Sequence, residues 1–377
     1  MNIAFVYDWF DTEIGGAERL IKTLHHAFPD APWYTSHIDH DAVPWAHTID
    51  VRSSFLQRLP RWFRRNRILT LLLTPFAFES FDLGHYDVVV SVSSGFAKNI
   101  ITRTGTKHIC ILLTPPRWLW SAEHKGLYAT GLAQFFIQYL RKWDMIAAQR
   151  VDVFLAISKE VARRCRAYYE QSAEVLYPPF DYDYWHTMAH DEHKRRVNLQ
   201  EASKTFIIVS RLEPYKRIDL AIRAFSLYYQ LKKGNDRLII VGSGSQEKYL
   251  AHLVHSLGLE NAVTWKERVS DEALAALYAT STVLIMPQEE DFGYTACEAI
   301  ACGCPVIVYA KGGQTEIVTM NTTGVSFDEP SPEALCAALV KMDTFEYNQE
   351  SYENSHIRGW SRNTFVATLS QKITQTV

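Results

Sequence analysis

The chain has 377 residues, 47% hydrophobic and 21% charged, with a formal net charge of -3. That length accommodates two domains with separate cores, and the composition is that of an ordinary soluble globular protein. A near-neutral balance excludes the strongly basic footprint of a general nucleic-acid binder, and no apolar run approaches the roughly 20 residues of a membrane-spanning helix.

The first residues, MNIAFVYDWF, have no basic start and meet Asp8, so they read as a strand over Ile3–Tyr7 and not as a secretory leader. Short apolar runs recur at Val88–Val92, Ile109–Leu113 and Val153–Ile157, then at Phe206–Val209, Leu238–Val241, Val283–Met286 and Val306–Val308. Amphipathic stretches separate them. Continuous apolar strands alternating with helices belong to parallel sheets covered on both faces. The pattern occurs twice, which predicts an α/β protein of two doubly wound, Rossmann-like domains. YPPFDYDYWH closes the first half with two prolines, and no strand signal follows until TFIIV. The expected division is 1–182 and 183–355, with the hinge in 180–200 and a C-terminal helix, 356–377, returning to the first domain. Six cysteines are present, and only Cys302 and Cys304 lie close together. Without a second ligand-spaced pair they read as reduced core residues of a cytoplasmic protein, not as zinc ligands.

Open parallel sheets bind ligands beyond the carboxyl ends of their strands, so two domains facing across a cleft would line it with those loops. After the first strand, Gly15 and Gly16 open a helix. Such a pair lets amides approach an anion, and serves equally as a tight turn. After Phe206–Val209, Arg211 and Lys216 flank a proline turn. A fixed guanidinium and a mobile ammonium suit a diphosphate in the absence of a metal, the alternative being two solvated surface charges. Gly242 and Gly244 in VGSGSQ suit close backbone approach but fall short of a full dinucleotide fingerprint.

After Val283–Met286, QEEDFG is a loop and YTACEAIACG a helix closed by Gly303. Glu290 therefore lies in the loop and Glu298 inside the helix. Two carboxylates about 5–10 Å apart would also fit a glycosidase. Arg211, Lys216 and the helix-start amides of Phe292, Gly293, Tyr294 and Thr295 instead make a diphosphate seat, for which a hydrolase has no use. Glu290 then reads as an acceptor for sugar hydroxyls and Glu298 for those of a ribose.

The stretches SRLEPYK, VGSG, EEDFGYTACEAIACGCPVI and KGGQTEIV resemble the retaining nucleotide-sugar glycosyltransferases of family 4, which have the GT-B fold. GGAERL, YDVVVSVSSGFAKNI, TPPRWLW and LYPPFD resemble their bacterial polysaccharide branch, which includes mannosyltransferases. The resemblance implies transfer of a hexose, mannose from GDP-mannose as first choice, to a hydroxyl of a lipid-linked or polysaccharide glycan. No metal and no cofactor is implied. It assigns Arg211 and Lys216 to the diphosphate, Glu290 to the sugar, Glu298 to the ribose, Gly16 to the phosphate and the backbone near Arg268 and Val269 to the base. Glu267 stands where the family often has Gly, and Leu113 where many relatives have a His near the reacting sugar. With no protein nucleophile in these motifs, the expected mechanism is front-face displacement resting on positioning and electrostatics. Two other readings stay open: a nucleotide-sugar 2-epimerase, and a non-catalytic nucleotide-sugar-binding subunit motivated by Leu113.

Between Val51 and Phe78 the sequence has no acidic residue and six arginines, Arg52, Arg58, Arg61, Arg64, Arg65 and Arg67. Trp62 and Phe63 interrupt them and ILTLLLTPFAF follows. Basic and bulky apolar residues together suit an anionic membrane surface, here the inner face. The same pattern is that of an amphipathic helix with solvated arginines.

Overall fold

A computed structural model of the chain describes residues 1–11, 15–120, 132–196, 203–232, 236–346 and 348–376. The chain divides into two compact units, Met1–Pro179 with Arg362–Val377, and Phe180–Ser361.

The first unit is built on seven strands: β1 (Ile3–Tyr7), β2 (Trp33–Thr35), β3 (Val51–Ser53), β4 (Val88–Ser93), β5 (Lys107–Leu112), β6 (Val153–Ala156) and β7 (Ala173–Val175). Their order is β3-β2-β1-β4-β5-β6-β7 and every pairing is parallel. The central strands are buried along their length, as β-branched runs covered on both faces must be. β2, β3 and β7 have three residues each. That is too short to show an apolar period, so the sequence reading missed them.

At the β1/β4 switch point the chain supplies its own anion. Asp8, fully buried, accepts from the amides of Ser94 at 2.6 Å, Gly95 at 2.8 Å and Ala97 at 2.7 Å. Below it Lys98 and Asp144 form an ion pair with no solvent exposure. Lys98 also donates to Gly95 O at 3.0 Å, and Asp144 accepts from Trp120 Nε1 at 2.7 Å and the Tyr169 hydroxyl at 2.8 Å. Burial first, and then the Asp144 charge, pushes the Tyr169 phenol well above its usual range, so it stays a donor.

The second unit has six strands: β8 (Thr205–Val209), β9 (Arg237–Val241), β10 (Val263–Lys266), β11 (Val283–Met286), β12 (Val306–Tyr309) and β13 (Gly324–Phe327). All pair in parallel in the order β10-β9-β8-β11-β12-β13. This is the Rossmann order, with its switch point between β8 and β11. β8 pairs with β9 over all five of its residues, from Thr205 to Val209. With β11 it pairs only through Phe206 and Ile207, opposite Val283 and Leu284. Pairing stops while both strands continue, so the sheet parts at the carboxyl ends of β8 and β11. One core, including Phe206, Phe225, Tyr228, Ile240 and Leu335, anchors the sheet below that opening. As far as Arg196, the stretch that lacks a strand signal belongs to the helix Tyr182–Arg196.

All six cysteines are free and five are buried. No described helix is long and apolar enough to cross a membrane.

Removing one partner of a dry ion pair leaves the other charged and unpaired. Lys98→Met is therefore expected to cost about 3–5 kcal/mol in urea denaturation, and Lys98→Met with Asp144→Leu to recover part of that loss. A single variant within about 1 kcal/mol of the parent would show that the pair does not hold this unit together.

Candidate functional site at the carboxyl ends of β8 and β11

The loop leaving β8 runs beside the loop leaving β9. Ser210 N–H donates to Val241 O at 3.0 Å and Leu212 N–H to Ser243 O at 2.9 Å. Gly242, at φ +141, could carry no side chain, since a Cβ there would lie 1.9 Å from Ser210 O; one at Gly244 would lie 2.5 Å from Leu212 O. The close approach these glycines permit is thus between two loops of the chain. Glu213 ties the loops further, accepting from the Ser245 hydroxyl at 2.6 Å. Beyond it the turn Pro214–Lys216 and Arg217, at φ +52, deliver the chain into the helix Ile218–Lys232. The loop from β8 to that helix carries both predicted cations. Arg211 is exposed and donates to the Tyr215 hydroxyl at 2.8 Å. Lys216 lies 5.3 Å from the centre of the Tyr215 ring.

Lys216 crosses the β8/β11 opening. Its Nζ meets Glu290 Oε1 at 2.5 Å, with side-chain exposures of 12% and 21%, so the contact is largely withdrawn from water. Gln288 Nε2 donates to the same oxygen at 2.7 Å. Phe292 is buried against Trp360, with ring centres 5.5 Å apart. Gly293, at φ +117, turns the chain into the helix Tyr294–Ala301, whose first bond runs from Ala296 N–H to Gly293 O at 2.9 Å. The positive end of that helix lies at Gly293–Thr295. The Thr295 hydroxyl donates to the Met286 sulfur at 3.7 Å. As the sequence predicts, Gly303 ends the helix, at φ +67.

The structure brings Lys216 and Glu290 together, while Glu298 meets a different partner. Glu298 is 2% exposed and accepts from the Tyr278 hydroxyl at 3.2 Å. Burial, then the Glu298 charge, holds the Tyr278 phenol well above its ordinary range. Arg268 is exposed and Val269 partly buried, both just past β10. Gly15 caps the helix Gly16–Ala27 in the other unit with an extended backbone. There the carboxylate of Glu18 lies close by: a Cβ on Gly15 would stand 2.3 Å from Glu18 Oε2. Leu113, directly after β5, is buried. Gln288, Gln314 and Tyr278 were not singled out from sequence. Gln288 and Gln314 stand in loops at carboxyl ends of strands, the same positional signal that marks Glu290.

The acid-free segment 51–78 is not acid-free in space. Arg52 pairs with Asp50 at 2.8 Å, and Arg61 with Asp39 at 2.8 Å and Asp41 at 3.0 Å. Arg64 donates to Ile38 O at 3.2 Å. The carboxylates come from just outside the segment, so the cationic field is weaker than the local count implies. The side chains of Arg65 and Arg67 lie outside the described residues.

The two Rossmann-like units define the GT-B class of fold. Solved structures share it over the whole chain: Anabaena Alr3699/HepE in complex with UDP superposes with a TM-score of 0.73 at 19% identity, covering 100% of both chains. WaaG, a glycosyltransferase involved in lipopolysaccharide biosynthesis, does so at 0.69 and 17%, covering 99% of both. Residues 189–354 match the family Glycosyl transferases group 1. An uncharacterized glycosyltransferase, MJ1607 of Methanocaldococcus jannaschii, is 28% identical over 226 residues, 58% of this chain and 54% of that one. A D-inositol 3-phosphate glycosyltransferase of Acidothermus cellulolyticus is 32% identical over 158 residues, 40% of this chain and 35% of that one. The chain thus spans about half the length, or less, of these curated relatives.

Proposed function

We propose that the chain is a retaining glycosyltransferase that moves a hexose from a nucleoside-diphosphate sugar to an acceptor hydroxyl on a lipid-linked or polysaccharide glycan. The observation that carries this reading is the Lys216–Glu290 contact at the opening between β8 and β11. It sets a cation suited to phosphate beside a carboxylate suited to hydroxyls, next to a helix N-terminus. The hexose divides into two candidates. Mannose comes from the sequence resemblance, and glucose from the structural relative solved with UDP-glucose.

On this reading Arg211 and Lys216 take the diphosphate, helped by the amides at Phe292–Thr295. Glu290 exchanges the Lys216 ammonium for the sugar hydroxyls as Lys216 turns to the phosphate. Glu298, held by Tyr278, takes the ribose, and the backbone past β10 at Arg268 and Val269 meets the base. In the transfer step the bond from the anomeric carbon to the phosphate oxygen breaks. The acceptor oxygen bonds to that carbon on the same face, and its proton passes to the departing phosphate. The two cations stabilise the charge that develops there, and this does not call for a metal.

Segment 51–78 extends the reading to a membrane surface. With Arg52 and Arg61 already paired, the driving term shifts to side chains such as Trp62, 68% exposed, and Phe76, 50% exposed.

Four outcomes check this function. Arg211→Ala is expected to weaken GDP and UDP binding by about 10–100-fold, the worth of a charged hydrogen bond. Glu290→Ala should leave only a small residual transfer from GDP-mannose or UDP-glucose, with GDP and UDP binding largely intact. Equal loss of nucleotide binding in both variants would contradict the division of roles. Transfer should survive a chelator; strict dependence on manganese or magnesium would refute the metal-independent step. Sedimentation with anionic liposomes should retain the chain, and Trp62→Ser with Phe76→Ser should release it. A parent protein that stays in the supernatant at low salt excludes the membrane contact.

A further inference from the structure

One buried side chain holds the Glu290 loop, and the proposed function gives it no role. Gln314 is fully buried and belongs to the turn Gly313–Glu316 that follows β12. Its Oε1 accepts the Glu290 N–H at 2.9 Å. Its Nε2 faces three carbonyls, Gln288 O at 2.9 Å, Tyr309 O at 3.2 Å and Lys311 O at 2.6 Å. Three acceptors on one side and an N–H on the other fix which end of the amide is which. The Glu290 carbonyl in turn accepts from Gly313 N–H at 2.8 Å. Both backbone groups of Glu290 are therefore bound to the dipeptide Gly313-Gln314.

The fit is close enough to exclude side chains at the neighbouring glycines. A Cβ at Gly312 would lie 2.5 Å from Glu290 O, and one at Gly313 would lie 2.2 Å from Asp291 O. The residues from Pro287 to Gly293 form neither strand nor helix, so no ladder sets the place of the Glu290 carboxylate. The Gln314 amide and the Gly313 N–H hold its backbone instead, joining the ends of β11 and β12.

We propose that Gln314 is a positioning residue for Glu290. It fixes where the carboxylate stands at the β8/β11 opening, and so the contact with the transferred hexose, without itself touching the ligand. The inference rests on the reading of Glu290 as the contact to the donor sugar. Gln is required by its inventory: Leu satisfies none of the four partners, and Glu sets an acceptor against three carbonyls.

The test uses the full chain with Gln314→Leu and Gln314→Glu, each alone and combined with Glu290→Ala. Hydrogen exchange of amides 288–293 should quicken about tenfold or more, with β8 and β11 unchanged. Affinity for GDP and UDP should stay within about twofold, whereas release of GDP from GDP-mannose or UDP from UDP-glucose should slow about 10–100-fold, the cost of a misplacement near 1 Å. In the Glu290→Ala background, changing Gln314 should cost nothing more, because both act through one group. Unchanged exchange, nucleotide affinity falling in step with turnover, or losses that multiply would each overturn the proposal. So would failure of both Gln314 variants to fold, which would make the residue a support for the whole unit. Full turnover by Glu290→Ala would overturn the donor-sugar reading and this proposal with it. Loss in Glu290→Ala with full turnover in Gln314→Leu would overturn this proposal alone.

Discussion

The length of pairing between β8 and β11 governs the rest of the second unit. A parallel pair that ran to the ends of both strands would draw the loops that follow into one packed edge. Here the ladder holds only at Phe206 and Ile207, and the strands continue without it. Lys216 and Glu290 take over where the backbone bonds stop. The contact does the work of a missing rung, but it is made of side chains that can exchange partners. A phosphate oxygen can replace the carboxylate at Lys216, and a sugar hydroxyl can replace the ammonium at Glu290, with no change in the sheet.

The two units follow the same winding rule and treat their switch points in opposite ways. β1 and β4 pair over all five residues of β1, and Asp8 fills the cradle of amides above them. Burial raises the Asp8 pKa, and the amides work against that rise. The corresponding place in the second unit presents cations and a helix N-terminus. Topology alone therefore does not leave a switch point open to an anion; the first one is closed because the chain has already placed a carboxylate there.

Much of this was legible in the sequence because it depends on apolar runs and on loops at strand ends. The central strands of both sheets, the helix after Gly293 and the placing of Arg211, Lys216 and Glu290 at carboxyl ends all follow from period and position. The three-residue strands carry no period. The service of Gly242 and Gly244 to neighbouring loops is a tertiary fact, since Ser210 and Leu212 are remote in sequence. Gln314 could be located but not interpreted, because two of its four partners come from the distant loop after β11. The arginine segment shows the opposite error. A window free of acids looked strongly cationic, while Asp39, Asp41 and Asp50 waited just outside it.

The first unit is not continuous along the chain. Its last helix, Arg362–Thr376, buries Phe365, Leu369 and Ile373 and pairs Lys372 with Glu174 at 2.6 Å. During synthesis that helix emerges only after all of Phe180–Ser361 has been made. At roughly 5–20 residues per second, the nascent first unit waits on the order of 10–40 s with the surface for those three side chains uncovered. The second unit meanwhile has every strand it needs. The first unit is begun before the second and completed after it.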